Sequence, residues 1–278
     1  MKNKFGFFLF FLLLTACQNS YEPDHSLKQA WTNELENTQP SQIPYGLVYE
    51  TGSKKLIYVA VHSAFSPAKG RALIESLIKT QKPQIILCQG HTEERVSPTA
   101  VKFKIDNPHV ILTGASAPRK KIIDHLALYG VSERDYEIYS LVTLINQQWQ
   151  FEINSPKDLN AKIVHYLKTT PHAKRFHLTF EDVQTWFYEK TGHPMTIEAL
   201  FEGLLVAPQD PHLASTTYLQ KISFYQDEID DAVAMSALGK ALENYDTVMI
   251  IRASSKYVTE RAILHKMLGV SEPTKIVN

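Results

Sequence analysis

Short apolar runs rich in β-branched residues recur along this chain, separated by stretches whose apolar residues repeat at helical spacing. The runs are Leu56-Ile-Tyr-Val-Ala-Val61, Gln84-Ile-Ile-Leu-Cys88, Val110-Ile-Leu-Thr113 and Thr247-Val-Met-Ile-Ile251. Strands this short and this uniformly apolar are covered on both faces, as in parallel or mixed sheets packed between helices. The expected fold class is therefore α/β, with a mixed, largely parallel sheet flanked by helices.

Turn and cap chemistry places the elements. Gly46-Leu-Val-Tyr-Glu50 and Leu56 to Val61 flank Thr51-Gly52-Ser53-Lys54, which predicts a β-hairpin. Ser66-Pro67 can open a helix with Ala72, Leu73, Leu77 and Ile78 on one face, and Lys82-Pro83 stops it before the next strand, giving a β-α-β unit. From Ser132 to Val206 the pattern is mainly helical, with helices starting at Ser132-Glu133, covering Pro156 to Leu167, and running from Thr179 to Lys190. This is a helical insertion in the middle of the chain. A helix from about Leu219 to Asn244 precedes the one late strand evident, and another from Val258 to Leu268 follows it.

The start of the chain has a different character. Lys2 and Lys4 precede an apolar run from Phe5 to Leu14, and Leu14-Thr15-Ala16-Cys17 has the form of a lipoprotein cleavage box. The run is well short of the ~20 apolar residues needed to cross a bilayer. Residues 1–16 are thus expected to be a signal peptide, with Cys17 carrying lipid. Residues 17–44 read as a tether with a short helix around Trp31, and residues 45–278 as the α/β domain. Each buried methylene contributes about 0.8 kcal/mol, so several acyl chains hold such a protein on its membrane. The lipid bilayer is therefore an expected partner. Gln18 follows Cys17, and by resemblance to the sorting rule of Gram-negative lipoproteins this favours the outer membrane, facing the periplasm.

The whole chain carries 29 basic and 29 acidic residues; removal of Lys2 and Lys4 leaves 27 against 29, a net charge of −2. Nothing in that balance attracts nucleic acid. With Cys17 lipidated, Cys88 is the one remaining thiol, so no intrachain disulfide can form, and Cys88 is expected to be a buried strand residue.

Ligands in α/β sheets gather at the carboxyl ends of the strands. Four such ends stand out: Val61-His62-Ser63, Cys88-Gln89-Gly90-His91, Thr113-Gly114-Ala115-Ser116 and Arg252-Ala253-Ser254-Ser255-Lys256. The ligand-binding candidates drawn from them are His62, Ser63, Gln89, His91, Gly114, Ser255 and Lys256. His62 has the chemistry of a base or metal ligand, and Lys256 can contact a phosphate or carboxylate or else point into solvent. His62 with His91 makes a two-histidine pocket, fewer ligands than metal sites usually have. His165, His172 and His177 surround Lys174-Arg175 but share no clear helical face, so they read as solvated. Core packing is the favoured role of Trp149, Phe151, Phe180, Trp186, Phe187 and Tyr188, and a solvated face that of Asp227, Glu228, Asp230 and Asp231.

The order of these strand ends resembles the TraB, TIKI and ChaN-like superfamily, which includes erythromycin-esterase-like proteins, over most of Tyr45 to Gly269. The resemblance rests on Tyr58-Val-Ala-Val-His62-Ser63, Lys82-Pro-Gln-Ile-Ile-Leu-Cys-Gln89-Gly90, Gly114-Ala115, Asp230-Asp231 and Val248-Met-Ile-Ile-Arg252-Ala-Ser-Ser-Lys256. It implies a site built from imidazole and carboxylate groups. Here Gln89 stands for the second-strand Glu, Ala115 for the Glu after Gly114, Asp230 for the Arg of an Arg-Asp pair, and Lys256 for the final His. Of that polar set, His62 remains. Groups that act as a unit fail together. The implied function is a degenerate, catalytically inactive domain that binds a small molecule or an envelope protein, without a catalytic residue or resident metal. The alternative is an active metal-dependent hydrolase or peptidase using His62 with His91, Ser63 or Lys256. No cofactor is expected, although the superfamily has haem-binding members and a divalent metal belongs to the alternative.

Overall fold

The computed structural model describes residues 44–61, 68–90, 106–149, 152–201, 217–270 and 272–277. Residues 1–43, which hold the expected signal peptide, Cys17 and all but the last residue of the expected tether, lie outside these residues. Among the described residues no helix is long and apolar enough to cross a membrane.

The expected hairpin forms from β1 (Tyr45–Thr51) and β2 (Lys54–Val61), paired antiparallel from Tyr45↔Ala60 to Thr51↔Lys54. Gly52 turns it with φ +57°, a conformation that penalises a Cβ. Helix α1 (Ala68–Gln81) leads to β3 (Ile85–Cys88), and β4 (Ile111–Gly114) lies parallel beside β3. Strand β5 (Thr247–Ala253) returns from far along the chain and inserts between β2 and β3, parallel to both. A short strand, β6 (Lys275–Val277), adds antiparallel to β1. The six-stranded order is β4-β3-β5-β2-β1-β6. Three of the five pairings are parallel. The mixed, mainly parallel α/β sheet is as expected, apart from β6.

Alternation along the strands divides two cores. Val48, Ile57, Val59, Ile86, Met249 and Ile251 face α1 through Leu73, Leu77 and Ile78. On the other face, Leu47, Tyr49, Tyr58, Leu87, Val248 and Ile250 pack against α8 (Tyr218–Asn244) and α9 (Ser254–Leu268). Cys88 is a buried strand residue, and desolvation pushes its thiol up to about 12.

Between β4 and β5 the chain builds the helical insertion. It comprises α2 (Arg119–Ala127), α3 (Glu133–Leu144) running into a π-helical turn (Ile145–Trp149), α4 (Pro156–Thr169), α5 (Pro171–Lys174), α6 (Phe180–Thr191) and α7 (Ile197–Phe201). Its core contains Leu126, Ile138, Leu141, Ile163, Val183, Trp186, Phe187 and Ile222. Ser132, Thr179 and Thr217 close capping boxes with Asp135, Asp182 and Gln220, satisfying amide donors that a helix start otherwise leaves open. Trp149 and Phe180 pack at the margin of this core, Tyr188 is exposed, and Phe151 lies outside the described residues.

Helix α8, 27 residues long, belongs to both halves. Leu219, Ile222, Phe224 and Tyr225 pack into the helical core, whereas Ala234, Met235, Leu238 and Ala241 cover the sheet. The turn between these two stretches, residues 227–231, faces the carboxyl ends of the strands.

Candidate functional site

Register brings the strand ends level: Val61 pairs with Ala253, and Cys88 with both Ile251 and Gly114. Backbone bonds continue just past the strands, from Gln89 N to Ile251 O (3.0 Å) and from Ala115 N to Cys88 O (2.9 Å). The half-buried Gln89 side chain crosses to the neighbouring strand, where its Oε1 accepts a 2.6 Å bond from the backbone N of Ala253. Ala253 is the N-cap of α9 and supplies no side-chain cap of its own. Gly90, at φ +80°, donates its N–H to Ser116 Oγ at 2.8 Å. Ala117 N donates to Asp230 Oδ1 at 2.9 Å, joining the end of β4 to α8. Gly114 is a buried backbone position at the end of β4.

Arg252 dominates the centre. On β5 it follows Val248 and Ile250 on the same parity, so its side chain enters the α8–α9 side of the sheet, where it is fully buried. Three carboxylates converge on its guanidinium. Nε donates to Glu260 Oε1 (2.8 Å), Nη1 to Asp230 Oδ2 (3.1 Å) and Nη2 to Asp231 Oδ1 (2.8 Å). A further Nη1 contact reaches Ala115 O at 3.4 Å. Burial opposes the charge of Arg252, but Glu260, Asp230 and Asp231 outweigh it and hold the group above its ordinary pKa.

Lys256 continues the network. Its Nζ lies 2.7 Å from Asp227 Oδ1 and 2.9 Å from Asp231 Oδ1. Burial again opposes the charge, and the two aspartates again raise the pKa. Opposite Arg252, Tyr58 of β2 donates to Glu260 Oε2 at 2.7 Å. Complete burial pushes the Glu260 carboxyl up to about 7, against the pull of Arg252. Behind it, the Tyr257 ring lies 5.1 Å from Tyr58 and 6.2 Å from Tyr45, and its hydroxyl is 2.7 Å from that of Tyr49.

Of the sequence candidates, Gln89, Gly114 and Lys256 are brought to the strand ends. Gln89 and Lys256 arrive there already bonded to other parts of the chain. His62, Ser63 and His91 lie outside the described residues, as does the side chain of Ser255. Helix α9 begins at Ser254 rather than near Val258, so Lys256 stands in a helix and not in a strand-end loop. The acidic turn of α8 also differs from a solvated face. Asp230 and Asp231 are 14% exposed in their side chains and paired with Arg252, while Glu228 is 6% exposed and meets His125 Nε2 at 3.1 Å. Asp227 is the half-exposed member.

Glu260 belongs to no familiar motif, and Arg252 and Tyr58 stand in strand runs that assign them no role. Arg252 nevertheless carries a readable signal, because it stands at the inward parity of an apolar strand, where a charge requires partners. Chemically, the arrangement puts a guanidinium where its three carboxylates would otherwise converge on one another. Among the described residues no group of three or more His, Cys, Asp or Glu is arranged to hold a metal.

The fold and this site define a class: an α/β protein with a mainly parallel sheet and an internal ion network at the strand ends. No protein-family model, curated protein or solved structure matches the chain.

Proposed function

We propose that this chain is a lipid-anchored protein of the cell envelope whose α/β domain, a degenerate relative of the TraB/TIKI/ChaN-like proteins, binds a small molecule or an envelope protein without turning it over. The observation that carries this reading is the engagement of the strand-end polar groups. Gln89 caps the β5–α9 junction, Arg252 is enclosed by three carboxylates, and Lys256 is held by two. A group that exchanges protons or ligands with a substrate must be within reach of it. Groups engaged in these bonds hold the ends of β3, β4 and β5 to α8 and α9 instead. The lipid on Cys17 places the binding at a membrane, with the outer membrane favoured in a Gram-negative host.

The test uses the chain from Gln18 to Asn278, purified and examined by native mass spectrometry, then assayed for ester and peptide hydrolysis with added zinc or manganese. A co-purifying ligand or partner without turnover is the expected result. Metal-dependent hydrolysis that disappears in His62→Ala would overturn the reading in favour of the hydrolase. The anchor is checked separately in the full chain, where Cys17→Ser should abolish palmitate incorporation and release the protein from membranes.

A further inference from the structure

Three histidines of the helical insertion, His165, His172 and His177, fall in a basic stretch of the chain. Between Glu152 and Leu178 the chain carries Lys157, Lys162, Lys168, Lys174 and Arg175 with His165, His172 and His177, against two acids, Glu152 and Asp158. Helix α4 buries Leu159, Ile163 and Leu167. With about 3.6 residues per turn, Lys157, Ala161, His165 and Lys168 project from the opposite side, and all four are exposed. Past Thr170 the exposed residues include His172, Lys174, Arg175 and His177.

Neither acid in this stretch is left to neutralise that face. Glu152 pairs with Lys162, which also lies over the Trp149 ring. Asp158 caps α4 by accepting from Ser155 Oγ at 2.7 Å and Asn154 N at 3.3 Å. Arg175 pairs with Glu133 and covers the Phe176 ring. Among the described residues, Lys157, Lys168 and Lys174 enter no ion pair.

We propose that the outward face of α4 and α5 rests on the phosphodiester headgroups of an anionic bilayer, orienting the domain on the membrane that Cys17 anchors it to. The choice of a bilayer as partner rests on the envelope reading above. Charge complementarity carries the contact, since the chain without its leader has a net charge of −2 and is not drawn to an anionic surface as a whole. The α4 face offers Ala161 as its apolar contribution, so the domain lies on the headgroups rather than inserting among the acyl chains. The 26 residues from Gln18 to Ile43 can span at most ~90 Å, which lets the anchor and the basic face engage one membrane together. Three lysines worth about 1 kcal/mol each give the free domain a weak contact, and tethering makes that contact intramolecular, so that it suffices to set orientation.

The experiment is vesicle flotation with the unlipidated chain from Gln18 to Asn278, so that its outcome does not depend on acylation. Vesicles of equal phosphatidylcholine and phosphatidylglycerol should bind the protein, phosphatidylcholine alone should not, and added salt should release it. Lys157→Glu/Lys168→Glu/Lys174→Glu should weaken binding by at least roughly tenfold. Lys69→Glu/Lys240→Glu/Lys266→Glu, which makes the same charge change at other exposed positions, should bind like the wild type. Binding to neutral vesicles of equal strength, no loss in the first triple variant, or equal loss in both variants would overturn the proposal. So would tighter binding to soluble polyphosphate than to vesicles, which would mark a polyanion site instead. Should the first variant fail to fold, the salt and lipid dependence of the wild type still decides.

Discussion

Arg252 is the residue on which the strand ends depend, because its positive charge is what allows Glu260, Asp230 and Asp231 to share one buried space. Arg252→Met preserves much of the side-chain volume but leaves those carboxylates facing one another in low dielectric. Breaking a buried network by removing one partner typically costs about 3–5 kcal/mol, and urea denaturation should show a loss of that size. Glu260 gives the network a pH dependence of defined sign. Its folded pKa, about 7, lies above the ordinary 4.5, so its contribution to stability is complete below about pH 4.5 and is lost as pH rises through about 7. Glu260→Gln removes that titration while keeping the volume. The stability of wild type relative to Glu260→Gln should therefore fall between about pH 5 and pH 8, by at most ~3 kcal/mol, in paired thermal melts. A constant difference across that window would show that Glu260 keeps one protonation state.

At the scale of elements, two glycines test how helices dock. Gly46 lies in β1, and a Cβ there would come within 2.8 Å of Leu77 Cδ1, a buried side chain of α1. Gly46→Ala should push α1 off the sheet and cost about 1–3 kcal/mol in denaturant titrations. Gly239 is interior to α8, and its Cβ would meet the end of the Met267 side chain at 3.3 Å. Met267 is partly exposed and can swing aside, so Gly239→Ala should stabilise the protein by about 0.5 kcal/mol through helix propensity. The elements themselves were largely legible. The hairpin follows from Thr51-Gly52-Ser53-Lys54, and two of the insertion's helices from Ser132 and Thr179, because turn and cap chemistry act over four residues or fewer. Strand β6 was not legible, since three residues at a sheet edge carry no period. The start of α9 was misplaced for a related reason: Ala253 brings no capping side chain, and its amide is satisfied by Gln89, 164 residues away in sequence. The ion network is likewise a product of tertiary contact. Lys256, Asp230 and Asp231 are individually visible in the sequence, but nothing local says that they face inward toward Arg252.

For the whole molecule, the network sits at a joint. Two cores, one covering the sheet and one inside the helical insertion, share α8, and the change from one to the other falls at the turn whose Asp227, Asp230 and Asp231 bind Lys256 and Arg252. Covalent continuity of α8 alone does not oblige the halves to unfold together; the ion network and the bond from Ala117 to Asp230 supply side contacts on both sides of the turn. Loss of Arg252 should therefore do more than lower global stability. Hydrogen exchange measured peptide by peptide should show β5 and the first turns of α9 losing protection in Arg252→Met, while α4 and α6, whose packing runs through Ile163, Val183 and Phe187, keep theirs. Tryptophan fluorescence provides the matching signal, because Trp149 and Trp186 both report on the helical core. In the variant its urea transition should lag behind the loss of β5 protection, whereas in the wild type the two should coincide. If both halves of Arg252→Met still unfolded in one coincident transition, cooperativity would reside in the packing of α8 itself, and the charges at its centre would secure the strand ends without joining the cores.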